Sequence, residues 1–293
     1  MIQDTFHFYK PCQALQPYIR YYWVFKTDQI LNTFTFPIGC PQIIFHKKTP
    51  LLIPELGTWQ DTLTISGQVN FSFHIYANGH TEMIVVVFQP HTLNLFLNIP
   101  TISFYNQEVS GFDIENKSLI ELSKRILDCE DNNLCIQYIE RWLLLQASAM
   151  RMGTDYKFQR INEPLAQILK TPQVSVNELS SMACLSRKQF EREFKTFVGM
   201  GPKEYTHIVR LQKALSFLQH QKSTGINHAQ IALASGYADQ SHYIREFKKH
   251  CGHTPKSLLE MTSPYSDLFT HPVLMSLLFY HRRDAITTFA PKK

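Results

Sequence analysis

Arg192 and Arg245 occupy matching places in a pattern that the chain contains twice. The run Arg192-Glu-Phe-Lys-Thr-Phe-Val-Gly-Met-Gly-Pro-Lys203 aligns without a gap on Arg245-Glu-Phe-Lys-Lys-His-Cys-Gly-His-Thr-Pro-Lys256, 53 residues further on. Duplication of one structural unit explains that agreement directly. Lys188 and Lys195 flank Arg192 at four and three residues, so the three share a helix face. The same shift gives Ser241, Arg245 and Lys248. A guanidinium is a planar fork that fits guanine O6 and N7, and an ammonium neutralises phosphate. The chemistry these residues suit is recognition of a nucleic acid, not bond making.

Groups for other chemistry are sparse. The sequence has no G-x-S-x-G, P-loop, H-E-x-x-H or dinucleotide fingerprint, so no catalytic residue is nominated and the chain reads as a non-enzyme. His74, His80, Glu82 and His91 fall in a strand-rich stretch but lack the one-apart spacing of paired strand ligands, so neither metal nor cofactor is expected. Cys12, Cys40, Cys129, Cys135, Cys184 and Cys251 form no C-x-x-C pair. They read as reduced thiols of a cytoplasmic protein. Apolar runs such as Met83 to Phe88 are far shorter than the ~20 residues of a membrane span. The N-terminus lacks a basic head followed by an apolar core, so no secretory signal is expected.

The elements around the two arginines read as helix-turn-helix units. In the first, Ser175-x-x-Glu178 is a capping box for a short helix carrying Val176, Leu179 and Met182. After a turn at Cys184-Leu185, Ser186-x-x-Gln189 opens a second helix that buries Phe190, Phe194 and Phe197. In the second, Asn227-x-x-Gln230 caps the short helix, Gly236 makes the turn, and Asp239 caps a helix that buries Tyr243 and Phe247. Pro202 to about Gln219 forms a helical strut between the units, with Ile208, Leu211, Leu215 and Leu218 on one side. At ~1.5 Å per residue it spans about 27 Å, near the ~34 Å between successive major-groove turns. Another helix is expected over 162–170, opening near Pro164.

Charge agrees with that division. Residues 151–293 carry 20 Lys and Arg against 11 Asp and Glu, whereas residues 1–150 carry 9 against 13. Only the C-terminal half is suited to a polyanion. A length of 293 residues accommodates about two domains, and 44% hydrophobic content is globular.

The first hundred residues read as strands, among them Tyr18 to Phe25, Gln42 to Phe45, Phe71 to Tyr76 and Met83 to Phe88. Asn78-Gly79 between the last two predicts a hairpin with a type I′ turn. Amphipathic helices follow at about 117–128 and 133–147. Their apolar positions Leu119, Leu122, Ile126, Ile139, Leu143 and Leu144 require burial against the strands or a second copy, so a homodimer is expected. Tyr21, Tyr22, Trp23, Phe34 and Phe36 are candidates to line an apolar ligand pocket. A polar break at 151–155 leaves three parts: 1–150, 155–262 and a C-terminal extension, 263–293, with the apolar run Pro272 to Tyr280.

Ile231-Ala232, Gly236-Tyr237, Asp239-Gln-Ser-His-Tyr243, Arg245, Phe247-Lys248, Gly252 and Thr254-Pro255 resemble the most diagnostic stretch of the AraC/XylS family of bacterial transcription regulators. Arg210, Ala214 and Leu218 stand where that family's linker helix has Arg, Ala and Leu. The resemblance covers roughly 157–262. It implies DNA-reading positions at Lys188, Gln189 and Arg192 in the first unit, and at Gln240, Ser241, His242 and Arg245 in the second. Ser180, Cys184 and His228 depart from the family pattern, and His228 is expected to loosen the second unit. The Tyr18–Phe25 and Val85–Pro90 runs more loosely resemble the sensor part of AraC-type proteins of the Bacteroidetes. The implied fold is α+β, a cupin-like β-barrel with two following helices and an all-α domain with two helix-turn-helix units. The implied function is a transcription regulator, expected to act as an activator, that binds double-stranded DNA. Its implied partners include RNA polymerase and a small-molecule effector. The competing reading is a small-molecule-binding protein or enzyme whose helical half is an interaction module.

Overall fold

A computed structural model of the chain describes residues 5–149, 156–219 and 225–260. The break at 151–155 and the extension at 263–293 lie outside these residues. The fold is α+β.

The strands form two sheets. The larger has the order β1-β2-β9-β4-β7-β10, made of β1 (Thr5–Tyr9), β2 (Ile19–Thr27), β9 (Thr81–Phe88), β4 (Gln42–His46), β7 (Leu63–Ser66) and β10 (Glu108–Ser110). The smaller has the order β3-β8-β5-β6, made of β3 (Leu31–Thr35), β8 (Phe73–Ala77), β5 (Leu52–Ile53) and β6 (Thr58–Trp59). Among the described residues the cupin-like barrel is two facing sheets, not one closed ladder.

Alternation along the strands builds two cores from the larger sheet. Tyr21, Trp23 and Phe25 of β2, with Met83, Val85 and Val87 of β9, pack against Leu31, Ile53, Phe73 and Ile75 of the smaller sheet. Tyr22, Val24, Ile84 and Val86 point the other way, onto α2 (Lys117–Leu127) and α3 (Asn132–Ala149). Because both faces are covered, β9 is buried at every position. The helices hide Leu119, Leu122, Ile126, Ile139 and Leu143 against this sheet. Leu144 and its neighbour Leu145 remain 39% and 59% exposed, so the sheet alone satisfies most of the apolar face.

Two expectations are corrected. Asn78-Gly79 makes no hairpin, because β8 belongs to the smaller sheet and β9 to the larger. Positive φ falls on Gly79 (82°) and His80 (48°), one residue later than a type I′ turn would place it. The Asp28–Ile30 connection also changes sheets, and it contacts this one through His80 Nδ1 and Asp28 Oδ1 at 3.0 Å. Long-range sheet packing overrides the local turn signal. Likewise Pro164 lies inside α4 (Tyr156–Lys170), not at its start. Ile161, Leu165 and Ile168 are buried together with Leu179 and Phe194, which offsets the lost backbone bond.

The remaining helices are α5 (Val176–Met182), α6 (Arg187–Val198), α7 (Pro202–Gln219), α8 (His228–Ser235), α9 (Gln240–Cys251) and α10 (Pro255–Glu260), besides the short α1 (Leu93–Leu97). They form two cores. One joins α4, α5, α6 and the first half of α7. The other joins the second half of α7 to α8 and α9, and takes in Phe36 from the strand region.

Candidate nucleic-acid interface

The two helix-turn-helix units are set by their caps. Ser175 and Glu178, Ser186 and Gln189, and Asn227 and Gln230 each form a reciprocal capping box, and Asp239 accepts from the His242 N–H at 2.7 Å. Turn geometry requires a left-handed residue in each unit. Gly236 supplies it at φ 91° in the second, whereas Cys184 adopts φ 54° in the first. A Cβ on Gly236 would lie 2.8 Å from Pro172 Cγ, so the second turn is also pressed against the first unit's entry loop.

Helices α6 and α9 each bury one face and expose the other. Phe190, Phe194 and Phe197 are inside, as are Tyr243 and Phe247. Lys188, Gln189, Arg192 and Lys195 are exposed, as are Gln240, Ser241, Arg245 and Lys248. Among the described residues, no side-chain hydrogen bond or ion pair engages Arg192 or Arg245. Other arginines of the same half are occupied: Arg187 pairs with Glu191 at 3.0 Å, and Arg210 donates to the Pro172 carbonyl at 2.8 and 3.0 Å. Gln189 is exposed but its Oε1 accepts from Ser186.

His242 differs from the other six nominated residues. Its ring is half-buried, sits edge-on to Tyr237, and brings Nε2 to 3.3 Å from Glu246 Oε1. Glu246 also meets His207 Nδ1 at 2.6 Å and Arg210 Nη1 at 3.9 Å. Burial alone would raise the Glu246 pKa, but the His207 hydrogen bond and the surrounding positive groups hold it down at about 2. This carboxylate fixes α9 on α7. His228, expected to loosen the unit, lies 6.3 Å from the Tyr243 ring, and its Nδ1 is buried without a hydrogen-bond partner among the described residues.

Contacts between the halves, which local sequence signals do not reveal, are extensive. Asn70 Nδ2 donates to Glu204 Oε1 at 2.7 Å, and Tyr105 Oη donates to the same atom at 2.5 Å. His250 Nδ1 donates to the Asn70 carbonyl at 2.7 Å, and Ser72 donates to the His250 carbonyl from N at 2.9 Å and from Oγ at 2.7 Å. Gln212 donates to the Pro37 carbonyl. His91 donates to Asn162 Oδ1 and stacks on Phe158 at 4.8 Å. The C-terminal end of α9 thus meets the strand region, as does Gly199 at the end of α6 through Gln68 and Thr101, while Arg192 and Arg245 stay exposed.

The four acidic and imidazole groups of the strand region go to separate partners. His74 meets Glu55, His80 meets Asp28, Glu82 pairs with Lys26 and Lys47, and His91 meets Asn162. Of the aromatic candidates, Tyr21, Trp23 and Phe36 line a cavity between the sheets. Tyr22 faces the helices instead, and Phe34 packs beside the α7–α9 core and His253. Alternation puts Tyr22 on the opposite face from Tyr21.

A family described as "Helix-turn-helix domain" matches residues 179–261, and one described as "Domain of unknown function (DUF6597)" matches residues 7–110. The chain is 27% identical over 168 residues to an uncharacterized HTH-type transcriptional regulator of Haemophilus influenzae, covering 56% of this chain and 52% of the relative. It is 27% identical over 227 residues to the probable transcriptional regulator LumQ of Photobacterium leiognathi, covering 74% and 84%. To the transcriptional activator RhaS of Escherichia fergusonii it is 25% identical over 125 residues, covering 42% and 44%. Residues 179–261 thus carry a helix-turn-helix domain, and the relatives that the chain resembles are named as transcriptional regulators.

The chain's match spans about half the length of the Haemophilus and Escherichia relatives. Among solved structures, an AraC-type regulator from Chromobacterium violaceum is 27% identical, with 34% of this chain and 88% of that chain covered at a TM-score of 0.31. ToxT from Vibrio cholerae is 12% identical, with 88% and 98% covered at a TM-score of 0.43. These relatives carry names of regulators, not of enzymes. Among the described residues no helix is long and apolar enough to cross a membrane.

Proposed function

We propose that this chain is a sequence-specific DNA-binding transcription regulator of the AraC/XylS family, acting in the cytoplasm. Its α6 and α9 would enter adjacent major-groove segments of double-stranded DNA. The observation that carries the reading is the pair of exposed guanidinia, Arg192 and Arg245, at equivalent points of two capped helices in the basic half. Lys188 and Gln189 extend the first reading head, and Gln240 and Ser241 the second. His242 serves chiefly to order the start of α9 through Glu246. RNA polymerase is the further partner that a regulator of this kind would address.

The test is salt-dependent binding of the full chain to a duplex recovered from cells expressing it. Neutralising six or more phosphates lowers affinity by about 10³–10⁵ between 50 and 200 mM salt. Absent or salt-insensitive binding removes the regulator reading and leaves the helical half an interaction module.

The strand half takes the part of sensor in this proposal, with the cavity beside Tyr21, Trp23 and Phe36 as its effector site. A second copy would pair through the outer face of α3, where Leu144 and Leu145 are uncovered. Sedimentation of the full chain at tens of micromolar is expected to give a dimer and the Leu145→Lys variant a monomer. A monomeric parent protein defeats the dimer.

A further inference from the structure

Cys129 and Cys135 come together where α2 gives way to α3. Cys135 is fully buried near the start of α3, with its backbone N–H on the Asp131 carbonyl at 2.9 Å. Its Sγ lies 3.6 Å from the Cys129 carbonyl oxygen and 3.8 Å from that of Ile126, in the last turn of α2. Cys129 is only half-buried, and its thiol donates to the Asp131 carbonyl at 3.4 Å. The two thiols are close enough to interact directly. Other cysteines meet different groups. Cys40 accepts from Arg20, Cys251 is buried in the second unit beside Ser72, and Cys184 is exposed in a turn.

The turn between the two cysteines is pinned from beneath. The Lys47 side chain is buried, and its Nζ donates to the Glu130 carbonyl at 3.2 Å and to Asn132 Oδ1 at 2.8 Å. It also pairs with Glu82 Oε1 at 3.5 Å, and the same oxygen accepts from Asn132 Nδ2 at 3.0 Å. Asp131 Oδ1 accepts from the Asn133 N–H at 2.8 Å. A turn already ordered in this way holds two sulfurs together with little further loss of chain entropy when they react.

Access and charge give the two thiols different roles. Burial first, and then the neighbouring Cys129, push the Cys135 thiol up to about 12, while the Lys47 ammonium pulls the other way. The thiolate is the reacting form, so the accessible Cys129 opens an exchange. Once the Cys129 sulfur is bonded in a disulfide it carries no charge. Its contribution to holding the proton on Cys135 is then gone, and the pull of Lys47 remains. The first step thereby releases the second.

We propose that Cys129 and Cys135 are a reversible redox site that closes as an intramolecular disulfide by exchange with a low-molecular-weight disulfide. The Cys129 thiolate attacks one sulfur of that molecule, forming a mixed disulfide and expelling one small thiolate. Cys135 then gives up its proton and attacks the Cys129 sulfur, forming the 129–135 bond and expelling the second small thiolate. Two protein thiols are oxidised by two electrons, and one small disulfide is reduced to two thiols. The site is independent of the regulator reading.

Oxidised glutathione is the probe, applied to the full chain against reduced glutathione and read by acid quenching, alkylation and peptide mass spectrometry. The expected product is a 129–135 bond that excess reduced glutathione reopens. Cys135→Ala is expected to stop at a glutathione adduct on Cys129. Cys129→Ser, a change at an accessible side chain, is expected to slow modification of Cys135 at least tenfold. In urea the unfolded parent chain should favour the 129–135 bond at least tenfold less at the same glutathione ratio. Adducts on the exposed Cys184 report that the oxidant is active in each sample. A folded parent chain that keeps both thiols while Cys184 is modified, or that halts at the Cys129 adduct, overturns the site. Unslowed modification of Cys135 in Cys129→Ser overturns the division of roles. A bond equally favoured in urea shows that sequence proximity alone closes it, and overturns the part given to the pinned turn.

Discussion

Arg192 and Arg245 test the division of labour at the scale of single side chains. Each is exposed on the second helix of its unit, and no carboxylate among the described residues competes for its fork. Arg192→Ala and Arg245→Ala are each expected to cost ~1–3 kcal/mol in DNA binding and to relax preference at different operator positions about one turn apart. Selection of bound sequences from a random pool reads this out. Relaxation at one shared position, or none, defeats the paired-groove arrangement. Both residues were legible because a 53-residue self-match needs no tertiary information. His242 was legible only as a motif position. What holds it, Glu246 one turn on together with His207 from α7, depends on how two helices cross. Asn70, Glu204 and His250 were not legible at all, since 134 and 180 residues separate the partners.

At the scale of elements, caps and periodicity carried most of the information. The three capping boxes and the bounds of α7 follow from spacing alone, because capping is a contact between residues three apart. The Asn78-Gly79 turn and the start of α4 did not follow. There a local preference of about a kilocalorie per mole competes with burial of whole strands and helix faces. The two turns of the helix-turn-helix units give a paired expectation. Cys184 holds φ 54° without being glycine, and the side chain is exposed, so Cys184→Gly is expected to relieve strain and stabilise by up to ~1 kcal/mol. Gly236→Ala combines a φ of 91° with a contact 2.8 Å from Pro172 Cγ, and is expected to destabilise by more than ~1 kcal/mol. Urea melts of the full-chain variants check the opposite signs. A destabilising Cys184→Gly would mean that the thiol, not the turn, is what the first unit needs.

At the scale of the whole molecule, the halves are joined by a polar seam that is expected to weaken in acid. The His91 ring is 9% exposed, lies flat on Phe158 and donates to Asn162 Oδ1, so it bridges the strand half to α4. Burial lowers its pKa to about 4, although the Asn162 bond works the other way. The unfolded chain takes up this proton near the ordinary value of about 6.5, so it binds more protons than the folded chain between the two values. Stability contributed by neutral His91 is therefore complete above about pH 6.5 and is lost as pH falls through about 4. The full loss is on the order of 3 kcal/mol. His46, also lowered to about 4 by burial, lies within the strand half and adds a parallel slope without touching the seam. His91→Gln separates the two, because a neutral carboxamide can still donate to Asn162 but cannot titrate. The parent chain is expected to lose stability more steeply than His91→Gln between pH 6.5 and 4. Hydrogen exchange in 156–170 should rise with acid in the parent only. Equal slopes in the two proteins, or acid-induced exchange confined to the strands around His46, would place the acid sensitivity elsewhere and leave the seam unaffected by pH.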